Sequence, residues 1–255
     1  MFPVICQIGP LAIYSYGLML ALAVFVSARL LAREARVIGI EADTVYDLVF
    51  WVVISGIVGA RIFYILLNLG FFIDAPFEIL MLQKGGLAWQ GSFAGGLLAG
   101  LLFIRRRKLA LWPLLDIVAP YIALGSAIGR IGCLLNGCCY GRAADWGLYF
   151  PAWGERLVPT QIFMSAGQLL IFLILRSLVL ASRARPDGAR KIFYAGRIFI
   201  LYLMLSSLER FGVEFWRADH VLYWGLSIFQ YVSLVVFVVA LGLHRRLSLQ
   251  SIRRS

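Results

Sequence analysis

The chain has 255 residues, 62% hydrophobic and only 15% charged, with a mean hydropathy of +0.87. A soluble domain carries about 25% charged residues, so the composition excludes a water-soluble globule and specifies an integral membrane protein. The net charge of +11 would indicate nucleic acid in a soluble chain, but Lys and Arg placement also records membrane topology, and no nucleic-acid partner is expected.

At about 20 apolar residues per crossing, the length allows roughly six to eight spanning helices and no sizeable extramembrane domain. A β-barrel would need alternating segments of about ten residues, whereas this chain has long unalternated apolar runs. In chain order, these runs predict spans at about 11–31, 45–68, 86–104, 110–130, 159–181, 192–212 and 222–243. No charge precedes Arg29, so the first run lacks the basic region of a cleavable signal peptide and is expected to stay. Basic residues cluster after the first span (Arg29, Arg33, Arg36), after the third (Arg105, Arg106, Arg107, Lys108), around the fifth connection (Arg176, Arg183, Arg185, Arg190, Lys191) and at the tail (Arg245, Arg246, Arg253, Arg254). These are 16 of the 24 basic residues, all in alternate connections. The positive-inside rule then places the amino terminus outside and the carboxyl terminus in the cytoplasm, which requires an odd number of spans. The expected fold is an all-α integral membrane protein with seven transmembrane helices, forming one polytopic domain over 1–255. Its outer connections fall at about 69–85, 131–158 and 213–221, where surface-lying or re-entrant structure is expected.

Small residues four apart, Gly91, Gly95 and Ala99, and Gly125 and Gly129, are read as helix-packing seams. Trp89, Trp112 and Trp224 near span ends are read as interface belts. Ionisable groups at membrane depth are costly and mark candidate sites. Arg61, Arg130 and Arg210 lie late in outward-running spans, and Tyr16 and Gln90 early in inward-running ones, so all five reach the same outer depth. On the sixth span, Ser206, Arg210, Glu214 and Arg217 fall within about 80° of one helix face. The plain reading of Arg210 and Glu214 is an i,i+4 ion pair, which is compatible with a functional role. Several guanidinium groups, each a planar fork suited to phosphate, point to a phospholipid headgroup.

The densest segment is Gly129-Arg130-Ile131-Gly132-Cys133-Leu134-Leu135-Asn136-Gly137-Cys138-Cys139-Tyr140-Gly141-Arg142. Its glycines fit a backbone bent tightly around something. The run resembles the signature of the bacterial prolipoprotein diacylglyceryl transferase family, Gly-Arg-x-Gly-x-x-x-Asn-Gly followed closely by Gly. Other pieces occur in the family's order: Tyr16-Gly17, Gly59-Ala60-Arg61 with Tyr64, Gly85-Gly86 through Gly91, and Asp116 with Pro120. They continue with Pro159-Thr160-Gln161, Arg210 with Glu214-Phe215-Trp216-Arg217, and Gln230 with Ser233. The resemblance covers essentially the whole chain.

It implies transfer of the diacylglyceryl group from phosphatidylglycerol to the lipobox cysteine thiol of a preprolipoprotein signal peptide. Glycerol phosphate leaves and a thioether remains. The implied location is the bacterial inner membrane, multi-pass, with the active site toward the outer leaflet among membrane lipids. Such chemistry needs a thiolate and a stabilised leaving anion. On this resemblance Arg130 and Arg210 serve the phosphate. Asn136 orients headgroup or backbone, Tyr16 donates a hydrogen bond, and Arg61 and Arg217 add charge. Glu214 joins the catalytic set, and Gln90, Gly137 and Gly141 help bind substrate. No cofactor or metal is expected.

Departures from the family pattern matter. Gln90 stands where the family usually has a His proposed as base, Ser206 replaces a Tyr, and Cys133 and Cys138 replace Asn and Glu in the signature. Three routes to a thiolate stay open: another base such as Glu214 or His220, ionisation by the arginine field alone, or altered chemistry. His220 by itself reads as an interfacial residue. Cys133, Cys138 and Cys139 lack the spacing typical of zinc pairs. They are read as small residues filling a tight loop, with a disulfide, Cys6 included, as the alternative. The competing functional classes are a headgroup-binding protein or lipid transporter that transfers nothing, and a homologue with another acceptor. No inverted repeat of the transporter kind is present.

Overall fold

A computed structural model describes residues 1–8, 11–81, 85–183, 195–218 and 222–253. His220 and the basic residues Arg185, Arg190, Lys191 and Arg254 lie outside the described residues. Among the described residues, seven long helices fall on the seven expected runs: α1 (Ser15–Ala35), α2 (Ala42–Leu67), α4 (Trp89–Arg106), α5 (Leu111–Asn136), α6 (Thr160–Arg183), α7 (Arg197–Val213) and α8 (Ile228–Arg253). A short helix, α3 (Leu69–Asp74), follows α2. Five of the long helices, α1, α2, α5, α6 and α8, are long and apolar enough to cross a membrane. The other two are shorter: α4 has 18 residues and ends in Arg105 and Arg106, while α7 has 17 and carries Arg197, Glu209 and Arg210. The protein is a multi-pass helical membrane protein.

The helical class holds, with short additions in the connections. Among the described residues there are three antiparallel strand pairs: β1 (Val4–Ile8) with β2 (Leu11–Tyr14), β3 (Ala143–Phe150) with β4 (Glu155–Leu157), and β5 (Leu222–Tyr223) with β6 (Leu226–Ser227). They lie before α1, between α5 and α6, and between α7 and α8. In these connecting stretches backbone groups lack helical partners, and short pairing satisfies them locally. The first apolar run therefore begins as a strand, and α1 starts only at Ser15.

The chain forms two compact units, Ala32–Leu111 and Met1–Leu31 with Trp112–Ser255. In the first unit α2 packs on α4 through facing small residues. Cβ atoms added to Gly59, Gly91 or Gly95 would strike backbone atoms of the opposite helix. Ser92 Oγ would lie 3.2 Å from a Cβ on Gly56. Close approach of this kind supplies dispersion contact where lipid removes any hydrophobic drive between helices. The amide of Ala88 donates to the carbonyl of Ala60 at 3.1 Å, fixing where α4 begins. Just past the basic end of α4, Arg107 pairs with Asp47 near the start of α2 at 3.2 Å, an exposed pair worth roughly 0–1 kcal/mol.

In the second unit α5 supplies much of the core, burying Leu114, Ile117, Ala119, Pro120, Tyr121, Ala123 and Ala127. A carboxylate on α5 also starts α7. Asp116 accepts the backbone N–H groups of Gly196 at 2.7 Å and Phe199 at 2.9 Å, acting as an N-cap supplied by another helix. Ser165 Oγ donates to the Ala127 carbonyl at 2.9 Å and ties α6 to α5. The start of α8 is a capping box. Ser227 Oγ accepts the Gln230 N–H at 3.2 Å, and Gln230 Oε1 accepts the Ser227 N–H at 2.9 Å.

The α2–α4 seam gives a direct test. Gly91→Val forces a side chain against the Gly59 backbone and Phe63, and should destabilise by at least about 1–3 kcal/mol. Gly70→Ala, where an added Cβ meets nothing within 4 Å, should be neutral. Thermal unfolding in detergent distinguishes the two; equal midpoints would refute the seam.

Candidate functional site

The signature segment closes α5. Gly137 adopts φ 73° and its N–H reaches the Leu134 carbonyl at 3.1 Å, a left-handed cap that glycine accepts without strain. The chain then doubles back, and Cys138 N–H donates to the Cys133 carbonyl at 3.1 Å. Two side chains at the start of α6 hold the returning strand: Gln161 Nε2 donates to the Cys138 carbonyl at 2.7 Å, and Thr160 Oγ1 to the Cys139 carbonyl at 2.6 Å. Gly141 sits where three segments meet. Its N–H donates to the Val158 carbonyl at 2.8 Å, and its backbone bridges Arg217. An added Cβ would strike the Trp216 carbonyl and approach Val158 Cβ to 2.8 Å. Gly137 and Gly141 thus shape the loop with their backbones.

Around this loop the structure gathers most of the expected residues of its unit. Tyr16, exposed at the start of α1, lies within electrostatic reach of Arg130, Cys133, Cys138 and Cys139. A Cβ on Gly132 would lie 3.5 Å from the Tyr16 ring. Asn136 is exposed, with the Cys138 thiol within reach of its side chain. Arg130 is half-buried, with Tyr16, Cys139, Glu209 and Arg210 within electrostatic reach. Among the described residues it makes no hydrogen bond or ion pair.

Arg210 and Arg217 are organised differently. Arg210 pairs with Glu214 at 3.0 Å, approaches Met164 Sδ at 3.7 Å, and stacks over Phe229 at 4.8 Å. Arg217 Nε lies 3.9 Å from the same Glu214 oxygen. The other oxygen of Glu214 accepts the Ser227 hydroxyl at 3.0 Å. The expected i,i+4 pair is therefore real, and it is part of a four-residue junction. Glu214 is 2% exposed and engaged at both oxygens. In this arrangement the Glu214 carboxylate links Arg210, Arg217 and Ser227.

Residues that the sequence reading passed over also appear here. Glu209 accepts a hydrogen bond from Gln168 Nε2 at one oxygen, while its Oε1 is buried without a hydrogen-bond partner among the described residues. Arg130 and Arg210 lie within its electrostatic reach. Glu209 stands one residue before Arg210 and so falls off the face that Ser206, Arg210 and Glu214 share. The three signature cysteines, read from the sequence as small residues filling a tight loop, come together here. They are free thiols, and their Sγ atoms lie within 4.8 Å of one another, which their spacing in sequence did not indicate.

The remaining expected residues belong to the other unit. Arg61 is buried and donates to the carbonyls of Ile79 at 3.0 Å, Gly85 at 2.7 Å and Gly86 at 3.0 Å, and also to Glu78. Its guanidinium lies 5.3 Å from the Phe72 ring centroid. These bonds commit Arg61 to fixing the segment that leads into α4. Gln90 is exposed in the first turn of α4.

The junction is testable by stability. Glu214→Ala leaves two guanidinium groups, 21% and 12% exposed, facing one another without a counter-charge, and should cost about 3–5 kcal/mol. Glu214→Gln keeps an acceptor for Ser227 and should fall between that variant and the wild type. Thermal unfolding of the three proteins checks the order, and equal stabilities would refute the junction.

Comparison with known proteins bears on this arrangement. The family profile described as prolipoprotein diacylglyceryl transferase matches residues 3–245. The chain is 34% identical over 250 residues to a phosphatidylglycerol–prolipoprotein diacylglyceryl transferase of Trichormus variabilis, covering 94% of this chain and 87% of that protein. A protein of the same name from Nostoc sp. is 35% identical over 251 residues, with 94% and 87% covered. One from Synechococcus elongatus is 35% identical over 265 residues, with 99% and 89% covered. With a match of this extent, and with its signature loop folded around Arg130, the chain belongs to the prolipoprotein diacylglyceryl transferase family.

Proposed function

We propose that this protein is a phosphatidylglycerol–prolipoprotein diacylglyceryl transferase that works as one polytopic membrane domain. Seven helices cross the bacterial inner membrane, the amino terminus lies outside and the carboxyl terminus lies in the cytoplasm. The observation that carries the reading is the half-buried Arg130, a guanidinium with none of its N–H groups committed to a described residue, at the mouth of a glycine-shaped loop. Buried arginines are ordinarily paired, and a fork left open is suited to a phosphate ester.

In this reading the phosphatidylglycerol headgroup lies with its phosphate on Arg130, and Arg210 and Arg217 extend the positive field. The sulfur of the lipobox cysteine attacks the glyceryl carbon bonded to the phosphate ester. A C–S bond forms, the C–O bond breaks, and glycerol phosphate leaves with the electron pair. Arg130 and Arg210 stabilise the departing anion, which is where preorganised charge acts most strongly. Asn136 and Tyr16 add hydrogen bonds at the rim of the loop, with Gly137 and Gly141 giving it its shape. Arg61 holds the approach to α4, where Gln90 faces outward.

Gln90 cannot take the thiol proton, and Glu214 is engaged on both oxygens. Glu209 has an oxygen to spare and two arginines near it, and we assign it the proton. With phosphatidylglycerol and a lipobox peptide, the purified protein should form the diacylglyceryl thioether. Arg130→Ala should lower turnover about 10²–10³-fold while the protein stays folded. Loss of product from an otherwise folded wild-type preparation would leave a lipid-binding or transporting protein instead. Glu209→Gln should lower turnover roughly 10²-fold or more and flatten its pH profile; an unchanged profile would remove Glu209 from the mechanism.

A further inference from the structure

Cys133 lies on the last turn of α5, and Cys138 and Cys139 follow its left-handed cap. All three sulfur atoms lie within 4.8 Å of one another, an arrangement that the backbone is built to produce. The Cys138 thiol also bonds back to the Cys133 carbonyl at 3.7 Å. Cys139 itself adopts φ 64°, a left-handed conformation unfavourable for any residue with a side chain. That strain is held by Gln161 and Thr160 on the neighbouring carbonyls, at 2.7 and 2.6 Å. Filling space in a tight loop would not require three sulfurs to converge at such a conformational cost.

The surroundings fit a bound cation held by thiolates. Arg130 and Arg217 lie within electrostatic reach of Cys139 and offset the negative charge that three thiolates would leave around a monovalent or divalent ion. Among the described residues no His, Asp or Glu joins the group, so the donor set is sulfur only. With a metal–sulfur bond of about 2.3 Å, three sulfurs around one ion sit roughly 4.0 Å apart, a contraction of under 1 Å from the observed limit. Structural zinc sites are closed by four ligands, whereas soft sulfur ligands select Cu(I). We propose that Cys133, Cys138 and Cys139 form a three-thiolate site for a soft metal cation, with Cu(I) as the fitting ion. Binding makes three S–Cu bonds, releases three thiol protons to solvent and changes no oxidation state. The site shares Arg130 and Arg217 with the transferase reading, but its test reads metal and thiols, not activity.

The experiment titrates the full-length protein, purified in detergent under reducing and anaerobic conditions, with Cu(I) held by a competing chelator. The expected result is one Cu(I) per chain, with thiolate-to-copper absorption in the ultraviolet. Three cysteines should then be protected from N-ethylmaleimide, counted by intact mass, while the exposed Cys6 still reacts. Cys6→Ser should keep the site, and Cys138→Ser and Cys139→Ser should lose it while eluting as monodisperse protein. Should those variants fail to fold, protection in the wild type decides the matter. Copper uptake without protection of these thiols would overturn the proposal, as would labelling of all four cysteines unchanged by Cu(I).

Discussion

The carboxylate of Glu214 is the constraint on which the signature-loop end of the second unit depends. A carboxylate with its side chain wholly buried is tolerable only when its charge and its lone pairs are met. Here Arg210 and Arg217 meet the charge, and the Ser227 hydroxyl donates to one oxygen. Each of these partners has a second role. Arg210 is stacked on Phe229 of α8, the backbone of Arg217 bridges Gly141 of the signature loop, and Ser227 caps α8. One acid therefore joins the end of α7, the start of α8 and the loop after α5, and with them the residues placed around Arg130.

Two arginines show how the same side chain serves opposite ends. Arg61 has its N–H groups on the carbonyls of a connecting segment, where a Lys could not match the fan of acceptors, and it acts as a structural clamp. Arg130 has no such commitments among the described residues, and its charge is available to something not part of the protein. The distinction lies in where the donors go. Depth in the membrane, which both residues share in the sequence reading, does not separate them.

Much of the architecture was legible from composition and periodicity. Apolar runs located the seven long helices among the described residues, five of them long and apolar enough to cross a membrane. The strand pairs were not legible, since segments such as Leu11–Tyr14 are apolar and short, and pairing rather than pattern decides between strand and helix. The signature loop was visible as a cluster of glycines around Arg130 and Asn136, and the i,i+4 spacing of Arg210 and Glu214 correctly indicated their pair. Ser227 was invisible as a partner of Glu214 because it comes from another element. Glu209 was missed because helical phase put it off the shared polar face, and only the packing of α6 places Gln168 beside it. The thiols escaped for a similar reason: spacing of five and one residues says little until a left-handed turn folds them together.

The hydrogen bond from Ser227 to Glu214 has a consequence for the order of assembly. The two residues are 13 apart, so the bond closes a short loop whose entropic cost is small. Until it closes, the end of α7 holds a carboxylate lacking one hydrogen-bond donor, and the start of α8 lacks its fixed position. Neither helix end can reach its final state alone. The helices α7 and α8 therefore mature as a single hairpin, and synthesis of α8 is the event that completes the junction around Glu214.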